Sequence, residues 1–87
     1  MANTAQARKR ARQAESRRLH RKTLRTRVRS AIKATLQAID GGDKAKAEAA
    51  FRIATPLIDS SVNKGILHKN KAARHKSQLN RRLHALQ

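Results

Sequence analysis

The placement of the large apolar side chains limits the fold of this chain more than any other feature. Of its 87 residues, 16 are Val, Ile, Leu or Phe, and none of these precedes Leu19. They suffice for one small core, since each contributes roughly 1.5–3 kcal/mol when fully buried. Because ordering costs about 1.5 kcal/mol per residue, we expect one small domain over residues 1–87 with marginal stability on its own. The chain has no cysteine, so no disulfide adds to that stability.

Basic charge is abundant and is sorted along the chain. There are 22 Lys and Arg against 5 Asp and Glu, for a formal net charge of +17. Residues 1–29 carry 11 basic groups and one acid, residues 30–63 are balanced, and residues 64–87 carry seven basic groups and no acid. This charge exceeds what solubility requires. It predicts a polyanionic partner, nucleic acid before an anionic membrane surface.

Helix-forming residues and two glycine positions predict an all-α fold with three helices. Ala, Leu, Arg, Lys and Gln dominate the composition, and all favour helix. Gly41-Gly42 and Gly65 follow helix-like segments, where C-terminal glycines are common. We predict helices over about residues 4–40, 43–63 and 68–86, packed as an antiparallel three-helix bundle with short connections.

Apolar residues three or four positions apart mark the core face of each predicted helix. The three faces are Leu24, Val28, Ile32, Leu36 and Ile39; Ala47, Ala50, Phe51, Ala54, Leu57, Ile58 and Val62; and Ala72, Ala73, Leu79, Leu83 and Leu86. Phe51 is expected to be a core anchor, and Ile66 and Leu67 to cover the end of the bundle. Asp43 is a good N-cap for the second helix. Pro56 interrupts that helix, and because the apolar pattern continues in phase we expect a kink rather than a break.

The first helix is too long for the rest of the bundle. At 1.5 Å per residue it measures roughly 54 Å, whereas the second measures about 30 Å. Its N-terminal part must therefore extend beyond the bundle, and that part is the most basic. With no large side chain to bury before Leu19 and with mutual charge repulsion, we expect it to fray until it meets nucleic acid.

Basic side chains of the two ends are the candidate nucleic-acid contacts. Arg17, Arg21, Arg25 and Arg29 recur every fourth residue and form a ridge of guanidinium groups, which fit phosphate oxygens in a bidentate manner. Phe51 is the only aromatic residue, so stacking on single strands is disfavoured. The chain also lacks a helix-turn-helix signature. These features favour structured RNA recognised by shape, and a DNA-compacting protein is the alternative.

Other functional classes find little support in the sequence. The histidines (His20, His68, His75 and His84) form no i, i+4 pair and have no cysteine nearby, so we predict neither a metal site nor a cofactor. Paired carboxylates, phosphate-binding glycine loops and nucleophile triads are missing, which predicts that the protein is not an enzyme. A membrane-active helix should carry Trp, Phe or Leu where this chain has alanine. A protein-interaction module should have spare apolar residues. With no apolar span or signal-peptide core, we expect a soluble cytoplasmic protein.

Two segments resemble the bacterial small-subunit ribosomal protein S20 family. The more specific one runs from Lys64 to Ser77 and reads KGILHKNKAARHKS. The other runs from Ala38 to Ala45 and is followed by Phe51, and together they resemble the first turn and the second helix of the same family. The Met-Ala-Asn start before a basic run also fits, so the resemblance covers essentially the whole chain. The N-terminal part is unusually rich in Arg rather than Lys, and both residues bind phosphate.

The resemblance implies a helical bundle that binds small-subunit ribosomal RNA directly, with the first helix inserted among RNA helices. It implies a monomer within the cytoplasmic small subunit, beside other subunit components, that stabilises the RNA during and after assembly by neutralising phosphate charge. The expected RNA contacts are Arg8, Lys9, Arg10, Arg12, Arg17, Arg18, Arg21, Lys22, Arg25, Arg29, Lys64, His68, Lys69, Asn70, Lys71, Arg74, His75, Lys76, Arg81 and Arg82.

Overall fold

The computed structural model describes residues 3–86 and contains three helices. These are α1 (Asn3–Asp40), α2 (Lys44–Asn63) and α3 (Lys69–Ala85). Residues 3–86 contain no strand, so the predicted all-α fold is confirmed. Each helix begins and ends within one residue of the bounds expected from the sequence.

The helix ends follow from local hydrogen bonds. Gly42 adopts φ +76°, a left-handed conformation that glycine takes without strain, and its amide donates to the Ile39 carbonyl at 3.0 Å. Asp43 is the N-cap of α2, as predicted, and its side chain accepts from the Lys46 amide at 3.1 Å. α2 continues unbroken across Pro56, so the helix is not split there.

Two adjoining clusters of side chains form the core. Buried residues of the first are Val28, Ala54, Ile58, Ala72 and Leu79. The second comprises Ile39, Ala47 and Leu83, and half-buried Phe51 packs against both clusters. As α1 runs from Val28 to Ile39, its partners on α2 run back from Ile58 to Ala47. α3 runs in the same direction as α1, because Leu79 packs in the first cluster and Leu83 in the second. The pairing is therefore antiparallel, and Phe51 occupies the expected anchoring position.

Two buried polar residues were not expected from the apolar pattern. Thr35 is 0% exposed and Ser61 is 2% exposed. Each hydroxyl donates to a carbonyl of its own helix, Thr35 Oγ1 to Ala31 at 2.9 Å and Ser61 Oγ to Ile58 at 2.6 Å. Because these local bonds satisfy the donors, burial carries little penalty. In contrast, Ala73 was expected beside the core face of α3, and that expectation is wrong because its position points to solvent.

The N-terminal part of α1 extends beyond the bundle. Every residue from Thr4 to Thr23 is exposed, and Leu24 is the first half-buried side chain. The molecule measures 67 × 22 × 14 Å, with a long axis about twice the roughly 30 Å length of a 20-residue helix such as α2. We call residues 4–23 the overhang and residues 24–86 the bundle.

Candidate nucleic-acid interface

Six basic side chains follow one side of α1 where it enters the bundle. Each lies three or four residues from another member of the set, so the helical repeat brings them together on one shallow concave surface. We call this set the α1 ridge: Arg17, Arg18, Arg21, Lys22, Arg25 and Arg29. All six are exposed, and their guanidinium and ammonium groups can meet phosphate without first leaving a buried site.

Glu15 is the one acid among the first 29 residues, and it engages one member of the ridge. Arg18 donates from Nη2 to Oε1 at 2.7 Å and from Nε to Oε2 at 3.1 Å. These hydrogen bonds, with the charge of Arg18, lower the pKa of the Glu15 carboxyl from its usual value. The same contacts raise the pKa of Arg18. Both groups are exposed, so the pair contributes little to stability.

A second polar surface lies at the start of α3. We call this set the α3 surface: His68, Asn70, Lys71, Arg74 and His75. His68 is the N-cap of α3, and its Nδ1 accepts from the Asn70 amide at 3.1 Å. In a neutral ring whose Nδ1 is an acceptor, Nε2 carries the hydrogen and is free to donate. His68 therefore both begins the helix and offers a donor to a phosphate or a base.

A groove of about 430 Å³ joins these two surfaces, and we call it the junction groove. Its apolar lining is Val28 and Ile32 from α1 with Ile66 and Leu67 from the loop between α2 and α3, and its basic lining is Arg25, Arg29, Lys71 and His75. Hydrogen bonds to α2 hold this loop in place, because the carbonyl of buried Ser61 accepts from the amides of Ile66 and Leu67 at 2.9 and 3.3 Å.

The three surfaces are continuous. Arg25 and Arg29 belong to both the α1 ridge and the junction groove, and Lys71 and His75 belong to both the groove and the α3 surface. No Asp or Glu lines any of the three. We call them together the basic band. The fold thus brings residues from two distant parts of the sequence into one predominantly basic surface, on which Glu15 pairs with Arg18 alone.

The remaining candidate residues lie outside this band. Arg8, Lys9, Arg10 and Arg12 are exposed farther out on the overhang, where consecutive positions face different directions. Lys64 is exposed in the loop, and Lys69 is exposed at the first position of α3.

Three further candidates of α3 also lie outside the band. Lys76 Nζ binds Asp59 Oδ1 at 2.6 Å, on the α2 side of the helix. Arg81 and Arg82 adjoin Leu83, which packs against Ile39 and Ala47 at the opposite end of the bundle.

The apolar part of this site was not expected from the sequence. Val28, Ile32, Ile66 and Leu67 were assigned only to the core or its end, yet they line the groove. The sequence signal that could have indicated the groove is the adjacent apolar pair Ile66-Leu67 in a short loop between two helices. Both side chains are only half-buried in the structure. Arg27 was not a candidate, and it lies outside the band, on an adjoining surface with Ile53 and Leu57 that meets the α1 ridge at Lys22.

Within residues 3–86, no three His, Cys, Asp or Glu side chains come close enough together to hold a metal ion. None of the three described helices has an apolar stretch that could cross a membrane.

Comparisons with known proteins identify the family of the chain. The family model for ribosomal protein S20 matches residues 2–84. The Methylococcus capsulatus protein named small ribosomal subunit protein bS20 is 60% identical over 86 residues, covering 99% of this chain and 94% of its own length. The protein of that name from Thioalkalivibrio sulfidiphilus is 58% identical over 86 residues, covering 99% and 100%. The chain therefore belongs to the ribosomal protein S20 family, a family of structural proteins rather than enzymes.

Proposed function

We propose that this protein is a structural component of the small ribosomal subunit that binds small-subunit ribosomal RNA through the basic band. The observation that carries the proposal is the continuity of the band from α1 to α3, with no Asp or Glu in its lining and Glu15 paired only with Arg18 beside it. The names of its relatives, small ribosomal subunit protein bS20, support the same assignment. In this proposal the protein acts as a monomer in the cytoplasmic ribosome, in contact with RNA and with other subunit components.

The binding mechanism is neutralisation of phosphate charge. Each Lys or Arg that meets a phosphate releases condensed counterions, and this release provides affinity that does not depend on sequence. Arg adds geometry, because its planar fork can contact two phosphate oxygens at once. The α1 ridge supplies five Arg and one Lys in three and a half helical turns, so it can follow an RNA backbone over that length.

The shape of the protein suits a bridging role in assembly. The overhang carries basic groups away from the bundle, while the α3 surface lies beside the bundle end. One molecule can therefore contact RNA segments that are separated in space and reduce the repulsion between them. We propose that this helps the RNA helices pack during assembly and remain packed afterwards.

Footprinting of the purified protein on small-subunit ribosomal RNA tests this proposal. Hydroxyl-radical cleavage should reveal a defined set of protected backbone positions. Equal affinity for duplex DNA of similar length would instead favour a DNA-compacting protein. Competition between the two nucleic acids at one salt concentration distinguishes these outcomes, because nonspecific charge attraction alone does not separate them.

A further inference from the structure

The junction groove differs in chemistry from the rest of the basic band. The α1 ridge is lined by basic residues with Ala14 and Thr26, whereas the groove adds four large aliphatic residues. Phosphate groups gain nothing from an aliphatic surface. An occupant that uses the whole groove must therefore combine an apolar face with negative charge.

The basic side chains are arranged on both sides of that apolar surface. Arg25 and Arg29 are one helical turn apart on α1, and Lys71 and His75 are one turn apart on α3. An unpaired nucleotide has a phosphate on its 5′ side and another on its 3′ side. Each phosphate would meet one pair, while the base lies over the aliphatic residues between them.

The dimensions of the groove allow such an occupant. Its volume of about 430 Å³ lies within the 300–1,000 Å³ typical of small-ligand sites. Unpaired bases of folded RNA are commonly splayed out, laid against side chains or Arg planes, and bound at their edges. Arg25 and Arg29 can supply such planes, and half-buried His75 can supply an edge contact.

Continuity with the band favours a nucleotide over an acidic peptide. The groove opens onto the α1 ridge through Arg25 and Arg29 and onto the α3 surface through Lys71 and His75. A strand that crosses the groove must carry negative charge on both sides of it. An RNA strand does so at every residue.

We infer that the junction groove receives one unpaired nucleotide of the RNA, with its base against Val28, Ile32, Ile66 and Leu67. The inference rests on the proposed function and adds a subsite for a base to an interface otherwise devoted to the backbone. Base contact would give the protein a means to select one position along an RNA that charge alone does not distinguish.

Chemical probing of base edges on small-subunit ribosomal RNA tests the inference, using the full chain and two matched variants. Leu67→Trp fills the groove, whereas Ile53→Trp makes a similar change on α2, at a residue that is 65% exposed and does not line the groove. With the wild type, one unpaired nucleotide should lose base reactivity. Leu67→Trp should restore that reactivity and lower affinity about tenfold. Ile53→Trp should leave the protection intact.

A second pair of variants avoids the apolar residues altogether. Arg29→Ala with Lys71→Ala removes two charges from exposed groove residues, and Arg21→Ala with Arg74→Ala removes two from the band outside the groove. Only the first pair should raise the reactivity of the same nucleotide. A backbone footprint without any base protection that depends on these groove residues would overturn the inference and leave the proposed function standing. If the wild type gave no backbone footprint, both would fail.

Discussion

The overhang and the first part of the bundle are successive segments of the continuous helix α1, yet their helical structures have different causes. The bundle buries apolar side chains from all three helices, and its α1 segment contributes Val28 and Ile39 to the core. The overhang buries nothing from Thr4 to Thr23 and carries eight Lys and Arg against one acid. The comparison shows that one part of a helix can be favoured only by the helix propensity of its residues, while another part is stabilised by tertiary packing.

The two regions also differ in what stabilises them. Tertiary packing supplies most helical stability in proteins, because isolated helices are marginal in water. The overhang has helix-forming residues but no packing partner, and its like charges repel. RNA would remove that repulsion. The bundle should therefore be folded before binding, and the overhang should become fully ordered on binding.

The largest expected effect is that of salt, which should weaken RNA binding by the basic side chains and leave the folding of the apolar core unchanged. If 6–10 phosphates are contacted, the affinity for small-subunit RNA should fall roughly 10³–10⁵-fold between 50 and 200 mM salt. Over the same range the helical circular dichroism signal of the free protein should not decrease, since the core of the bundle is apolar and does not depend on charge. Titrations at several salt concentrations measure both quantities. An affinity that hardly changes would contradict a phosphate-based interface.

Two isoleucines of α2 provide a matched test of the bundle. Ile58 is 0% exposed and Ile53 is 65% exposed. Ile58→Ala should destabilise the bundle by about 2–5 kcal/mol, enough to unfold a marginal domain and to weaken RNA binding as a consequence. Ile53→Ala should leave the thermal transition nearly unchanged. Equal melting temperatures for the two variants would show that the core is placed wrongly.

Two arginines provide a matched test of the interface. Arg74 lies in the basic band and Arg27 lies outside it, and both are exposed. Arg74→Ala should preserve helicity, weaken RNA binding and reduce the salt slope by about 1. Arg27→Ala should change the slope less. If the two variants lost affinity equally, overall charge rather than the band would explain binding.

The smallest expected effect concerns Glu15. Its lowered pKa means that any stabilisation by the Arg18 pair is present above the unfolded-state pKa and is lost as pH falls through the folded-state pKa. Because both side chains are exposed, Glu15→Gln should leave the melting temperature unchanged. It should free Arg18 and raise RNA affinity by less than about fivefold. Parallel binding titrations of the variant and the wild type would detect the change, and weaker binding by Glu15→Gln would be the contrary result.

The sequence predicted what depends on local or periodic signals. Helix bounds followed from Gly41, Gly42 and Asp43, and the overhang followed from the absence of large apolar residues before Leu19. Burial of Thr35 was missed, because its hydroxyl becomes compatible with a core only through the bond to Ala31.

The site was less predictable than the fold. Its candidates were chosen by charge, but which of them lie together depends on how α1 and α3 are rotated about their axes. That rotation places Lys71 beside the α1 ridge and turns Lys76 toward Asp59. The junction groove arises from the same packing, so no spacing within a single helix could have indicated it.

Hydrogen exchange, followed residue by residue with and without small-subunit RNA, tests most directly whether the overhang and the bundle are stabilised by different means. In the free protein, amides through about residue 18 should exchange rapidly, while those around Ile58 and Leu79 should be protected by the core. Addition of RNA should slow exchange in the overhang far more than in the bundle. Strong protection of the overhang without RNA, or no gain in protection with it, would contradict the account.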